Sequence, residues 1–210
     1  MLVYAITPIH VPDEELRRRQ RRYDHLSPDG LTVELHDIGT GAPRALETSE
    51  QVRESERQVA AALRDVGPAY DALLPDCVLD PGVAAAREAG VARMDGMLRL
   101  SLAHAAREGR TVGAVTRNRA IADELTAVAA TYGHPVHEVA ILDLGLDAIA
   151  DDARWVAAMT GAVEALAAAG AEVVVNGCSA VDLDAAGGTP VPVIDPAALA
   201  LRMLAAGERV

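Results

Sequence analysis

DALLPDCVLDPG (71–82) and EVVVNGCSAVDL (172–183) hold the only two cysteines of the chain, and they decide how the rest is read. In each, a short run of apolar and β-branched residues gives out at a cysteine, and small or turn-forming residues follow. That is the pattern of a buried strand leaving a sheet at its carboxyl end. Pro81 follows Cys77, and Ser179 and Ala180 follow Cys178, residue types suited to the start of a helix. A helix N-terminus lowers a thiol pKa and offers backbone N–H groups to an anion. If the two halves of the chain face each other, their thiols face each other too.

Outward from these stretches, strands are expected at 2–7, 31–38, 71–77, 91–94, 111–116, 135–141, 172–178 and 191–195. Between them lie helices near 12–24, 48–65, 81–89, 96–108, 118–132, 152–169 and 196–206, with a short one near 180–186. Thr48-Ser49, Asp80-Pro81, Asp152 and Asp195-Pro196 are the expected helix starts. Strand–helix alternation of this kind makes an α/β fold with parallel sheets and crossover helices. Residues 1–108 and 111–206 repeat the same element order, with Cys178 in the slot of Cys77, a repeat of pattern and not of sequence. Both cysteines then sit at strand carboxyl ends, where open α/β sheets bind ligands. The expected units are 1–108 together with the C-terminal helix (about 196–210), and 109–195.

Composition narrows the chemistry. Half of the 210 residues are apolar, enough for a sizeable core, yet there is no Phe and one Trp. All nineteen basic residues are Arg, so no lysine exists to form a Schiff base, and covalently held pyridoxal phosphate is excluded. The net charge of −12 argues against nucleic acid. No apolar run approaches the roughly 20 residues that span a bilayer, and MLVYAITPIHVPDEE (1–15) lacks the features of a secretory signal. A cytoplasmic protein with reduced thiols is expected, without nucleic acid or membrane as partner. The bland reading of each cysteine remains a small buried apolar residue.

Residue by residue, CVLDPGVAAARE (77–88) closely resembles the C-x-x-D-P-G-x-x-x-A-R-E segment of the Asp/Glu/hydantoin racemase superfamily, and GAEVVVNGCSAVDL (170–183) resembles its second cysteine segment. GAPRALETSEQ (41–51), RTVGAVT (110–116) and PVPVIDP (190–196) match further segments in order, so the resemblance spans nearly the whole chain. It implies two pseudo-symmetric Rossmann-like units, each a four-stranded parallel sheet flanked by helices, with the active site in the cleft between them. It also implies cofactor-independent chemistry. One cysteine, as thiolate, removes a proton α to a carboxylate or carbonyl, and the other, as thiol, returns one to the opposite face. Two groups of equal intrinsic pKa serve both directions alike. Cys77 and Cys178 are the acid/base pair on this view, and Thr7, Pro8, His10, Val78, Thr116, Ser179 and Ala180 form the substrate-binding set.

One departure stands out. Where many members carry an Asn-containing turn after the first strand, this chain reads ITPIHV (6–11), with Ile9 and His10 in that region. His10 either replaces the missing donor or is surface. Arg44 and Arg117 lie near matching segments; a solvated surface is the simpler reading for both. HPVHE (134–138) enters a strand, which separates His137 from Glu138 by face, and nothing completes a metal site. RRRQRRYDH (17–25) reads as a solvated helix face, and VDLD (181–184) as a polar helix start. The expectation is a racemase or epimerase of an amino acid or hydantoin-like small molecule, with no cofactor and a homo-oligomer left open. The alternatives are a decarboxylase or cis–trans isomerase of small dicarboxylates on the same scaffold, and a non-catalytic small-acid binding protein.

Overall fold

The computed structural model describes residues 1–91, 93–183 and 187–208. Its elements run β1 (Leu2–Ile6), α1 (Asp13–Leu26), β2 (Thr32–His36), α2 (Ser49–Arg64), β3 (Ala72–Pro75), α3 (Val83–Glu88), α4 (Met97–Arg107) and β4 (Val112–Thr116). There follow α5 (Arg119–Thr131), β5 (Glu138–Ile141), a 3-10 turn (Leu146–Ala150), α6 (Asp152–Ala168), β6 (Val173–Asn176), β7 (Val193–Ile194) and α7 (Pro196–Ala205). Two parallel sheets result, ordered β2-β1-β3 and β5-β4-β6-β7. Every residue of β3, β4 and β6 is buried. These strands are therefore near-continuous runs of Val, Leu and Ala rather than alternating ones, as expected of parallel strands covered on both faces.

The sheets are α/β units as read from the sequence, but the first has three strands and not four. Among the described residues of the expected strand at 91–94 the pairing is one bridge, Met94 to Leu73, flanked by Leu73 N–H to Arg93 O (2.9 Å) and Asp95 N–H to Leu73 O (3.1 Å). It is squeezed between Gly90, whose φ is 76°, and Gly96, where α4 begins, so there is no length for a ladder. The short helix expected near 180–186 is a turn as far as Leu183; residues 184–186, including the end of VDLD, lie outside the described residues. The capping roles also differ in part. Thr48 forms a full capping box with Gln51, and Asp195 caps α7 ahead of Pro196. Asp151, not Asp152, caps α6. Asp80 caps no part of α3. Its backbone sits at φ 51°, and its carboxylate accepts from Leu98 N–H (3.0 Å) and Arg99 N–H (2.9 Å) at the start of α4.

Helix α4 is buried on two sides. Met97 and Leu100 pack with Val3, Ala5 and Leu74 of the first sheet, while Leu98 and Leu102 pack with Val112, Ala114 and Val175 of the second. Helix α7 returns to the first sheet, where Leu201, Met203 and Leu204 complete the core around Val3 and Val33. Burying each such side chain is worth about 1.5–3 kcal/mol. No helix among the described residues is long and apolar enough to cross a membrane.

Candidate active site

β1, β3, β4 and β6 each end at one pocket of about 60 Å³, and a residue one or two positions past each strand enters its wall: Pro8, Cys77, Arg117 and Cys178. The two thiols thus come from different sheets and meet in one cavity. Val78, Ser179 and Ala180 line it as well, so six of the nine residues singled out from the sequence are together. Thr7, His10 and Thr116 are not among the lining residues. Thr7, wholly buried, donates to Asp37 (3.3 Å) and accepts from Ile38 N–H (3.1 Å). His10 Nδ1 also meets Asp37 (2.8 Å), and Thr116 donates to Asn118 O (3.4 Å). Asp37 thereby ties the turn after β1, including Val11 N–H (2.9 Å), to the end of β2.

The rest of the wall is mostly apolar: Ile9, Leu46, Leu79 and Ile121, with Leu146 and Ile149 from the 3-10 turn at its side. The sequence reading singled out none of these. It also treated as solvated surface the two cations that line the pocket. Arg19 from α1 is 5% exposed and Arg117 is 2% exposed, whereas Arg44 does lie on the surface. Arg19 donates through Nε to Glu15 (2.7 Å) and through Nη1 to Asp76 (3.1 Å), which also accepts from Tyr23 Oη (2.8 Å). Burial alone would lower the Arg19 pKa; Asp76 and Glu15 outweigh it and hold the guanidinium charged. Arg18 and Arg22, on the same helix, donate to carbonyls just past the second cysteine, Arg18 to Ala180 O (2.9 Å) and Arg22 to Val181 O (2.8 Å). Arg22 also pairs with Asp195. Ser179 donates to Asp76 O (3.1 Å), so the loops that carry the two cysteines are bonded directly to each other.

Behind Cys178 the support is a buried amide. Trp155 Nε1 donates to Asn176 Oδ1 (3.0 Å), and Asn176 Nδ2 donates to Cys178 O (2.8 Å). Gly177 is required between them, because a Cβ there would stand 2.2 Å from Val115 O.

Burial pushes both thiols up from their ordinary value, because the low-dielectric wall disfavours a thiolate. The opposing effects are partly symmetric. The N–H two residues on, of Leu79 in one case and Ala180 in the other, favours each thiolate. The charged neighbours are not symmetric: Asp76 and Asp80 further raise Cys77, while Arg19 and Arg22 pull Cys178 down against Asp76. Cys178 is therefore the more readily ionised of the two. Among the described residues no group of three or more His, Cys, Asp and Glu is placed to hold a metal ion.

The family model described as Asp/Glu/hydantoin racemase matches residues 16–204. No curated relative matches the chain in sequence. Among solved structures, the allantoin racemase of Pseudomonas fluorescens is similar with a TM-score of 0.82 at 14% identity, over 99% of this chain and 92% of that one. The allantoin racemase of Klebsiella pneumoniae gives 0.76 at 18% identity, over 99% and 89%. An arylmalonate decarboxylase gives 0.59 at 19% identity, over 100% and 94%. At these identities the likeness to the solved structures is one of fold.

Proposed function

The chain belongs to the Asp/Glu/hydantoin racemase family and is an isomerase of that type, and from this premise we propose that it inverts a carbon α to a carbonyl by two-base proton transfer between Cys77 and Cys178. The observation that carries the reading is the meeting of the two thiols, one from each sheet, in a single pocket. Cys178 is the base in the resting enzyme, since it has guanidinium groups for neighbours where Cys77 has carboxylates. Its thiolate takes the proton from carbon, and the C–H electron pair passes into the adjacent carbonyl. The Cys77 thiol then gives its proton to the other face and is left as thiolate. The reverse reaction, on the opposite hand, restores the starting state. The N–H two residues past each cysteine, with Arg19 and Arg22 beside Cys178, offsets part of the burial that disfavours the thiolate.

The wall around the thiols is mostly apolar, and a low-dielectric wall sharpens the electrostatics of the step. Proton NMR in D₂O tests the reading, with both hands of 5-substituted hydantoins and amino acids as substrates. Loss of the α-proton signal from both hands of one compound is the expected result. Exchange in neither hand of any of them, or CO₂ release from an arylmalonate without racemisation, would overturn it. Replacing either cysteine by Ala is expected to lower racemisation by about 10²–10⁴-fold, the usual worth of a positioned acid or base, while the remaining thiol still exchanges the proton of one hand.

A further inference from the structure

The turn that carries Cys77 away from β3 is pinned by a side chain that does not line the pocket. Asp80, three residues on, is 3% exposed and absent from the cavity wall. Its N–H donates to Cys77 O (3.2 Å) and its carbonyl accepts from Val83 N–H (3.1 Å), so it closes the turn on the backbone of the thiol residue itself. Its carboxylate reaches two further elements. Oδ1 accepts from Leu98 N–H (3.0 Å) and Oδ2 from Arg99 N–H (2.9 Å) at the start of α4, and Oδ2 also accepts from Tyr132 Oη (3.1 Å) at the end of α5. Helix α5 belongs to the second unit, where Ile121, Leu125 and Ala129 pack with Val112 and Ala114 of β4.

The surrounding backbone is shaped to seat this carboxylate. At Gly96 a Cβ would stand 2.3 Å from Asp80 Oδ2, so only glycine leaves room for it ahead of α4. Asp80 itself is held at φ 51°, where Asp and Asn are among the few side-chain-bearing residues at ease. Burial, with Glu56 adding to it, pushes the carboxyl up to about 8 against its donors. Once ionised, it stands with Asp76 as negative charge around Cys77 and disfavours that thiolate.

The geometry points to Asp80 as a positioning residue that, anchored to α4 and to Tyr132, holds the Cys77 turn against the second unit and keeps the thiol in place in the pocket shared with Cys178. This rests on the racemase reading for what Cys77 does, but its test begins without a substrate. The titratable groups around Cys77 are Asp76 and Asp80 on its own loop and Cys178 from the facing one. Around Asp80 they are Glu56 of α2 and Tyr132, with Arg87 of α3 beside Tyr132.

Asp80→Asn keeps the shape and the tolerated φ, leaves one oxygen to accept from α4, and removes the charge. Iodoacetamide labelling, read by peptide mass spectrometry, is expected to move to lower pH at Cys77 and by less at Cys178. A residue that only stabilised the fold would lower the melting temperature and leave the pH profile of Cys77 where it was. Tyr132→Phe removes one hydroxyl and no charge, and gives the answer if Asp80→Asn does not fold. It is expected to label Cys77 about 10-fold faster or more at fixed pH, the weight of one lost bond to a charged group on a local opening. With any substrate found by deuterium exchange, both variants should lower kcat, by up to about 10²-fold, with KM unchanged. Unshifted Cys77 labelling in Asp80→Asn, or a wild-type labelling rate in Tyr132→Phe, would overturn the assignment. So would a rise of KM with kcat unchanged. Altered Cys77 labelling in both variants of a protein that exchanges no α-proton would refute the racemase reading alone.

Discussion

Replacing Arg19 by Met keeps the length of the side chain and removes its charge, and the structure sets what that costs. Asp76 is 2% exposed and has two side-chain partners, Arg19 Nη1 at 3.1 Å and Tyr23 Oη at 2.8 Å. With the guanidinium gone, a buried carboxylate keeps one neutral donor. Breaking a buried pair from one side costs about 3–5 kcal/mol, most of it the penalty of the charge left behind. For a chain of this size that is a fall in melting temperature of roughly 6–20 °C. Urea unfolding followed by the fluorescence of Trp155, the one tryptophan, measures it directly. The double variant Arg19→Met/Asp76→Asn removes the orphaned charge as well, and should recover at least about 2 kcal/mol of the loss. A single variant within about 1 kcal/mol of wild type, or a double variant no more stable than the single, would refute the claim that this pair balances a buried charge. The chemical readout is separate: alkylation of Cys178 in Arg19→Met should move to higher pH, since the guanidinium favours that thiolate.

Four further outcomes follow from the same geometry. Iodoacetamide should modify Cys178 before Cys77 as pH rises, read by peptide mass spectrometry. Because burial raises both thiols, proton abstraction should climb from neutrality into the alkaline range, and a rate already flat at neutral pH would contradict this. Trp155→Phe leaves Asn176 Oδ1 buried without its donor, at about 1–3 kcal/mol, and should lower turnover through the displaced Cys178 carbonyl; unchanged stability would mean water or another group replaces the bond. Gly177→Ala should cost at least about 1–3 kcal/mol and abolish turnover, since its methyl meets Val115 O at 2.2 Å; a fully active variant would show that the close approach of β6 and β4 can relax.

How much of this was legible beforehand depends on how local each signal is. The two cysteine segments declare themselves because strand, turn and thiol are contiguous, and their meeting follows from the parallel order of the sheets. The segment at 91–94 has strand residues, and only the two glycines that bound it explain why the ladder stops at Met94. RRRQRR was read as a solvated face because a run of arginines usually is one. Arg18, Arg19 and Arg22 turn inward to acceptors distant in sequence, Asp76 and the carbonyls of Ala180 and Val181. A signal was present in the spacing: Arg19 and Tyr23, four apart on one helix face, both reach Asp76. Arg117 gave no such sign, and its burial depends on Glu47 from the other half. Thr7 and Thr116 were chosen as hydroxyls at strand ends and His10 as a stand-in for the missing Asn, and the structure turns their polar groups toward Asp37 and Asn118 instead.

The return of α7 to the first sheet bears on the order in which the molecule can assemble. The strands that open the chain find their last apolar cover in residues 196–205, which leave the ribosome after both cysteine segments. Until then Val3, Val33 and Leu74 lack part of their wall, and an N-terminal half released early has no finished core to hold it together. Synthesis order and folding order are thereby uncoupled. The first sheet completes its core only once residues 196–205 have docked, and a nascent chain arrested before Pro196 is expected to remain sensitive to protease in that first half, whereas the core around Trp155 and Val174 draws on no residue of α7.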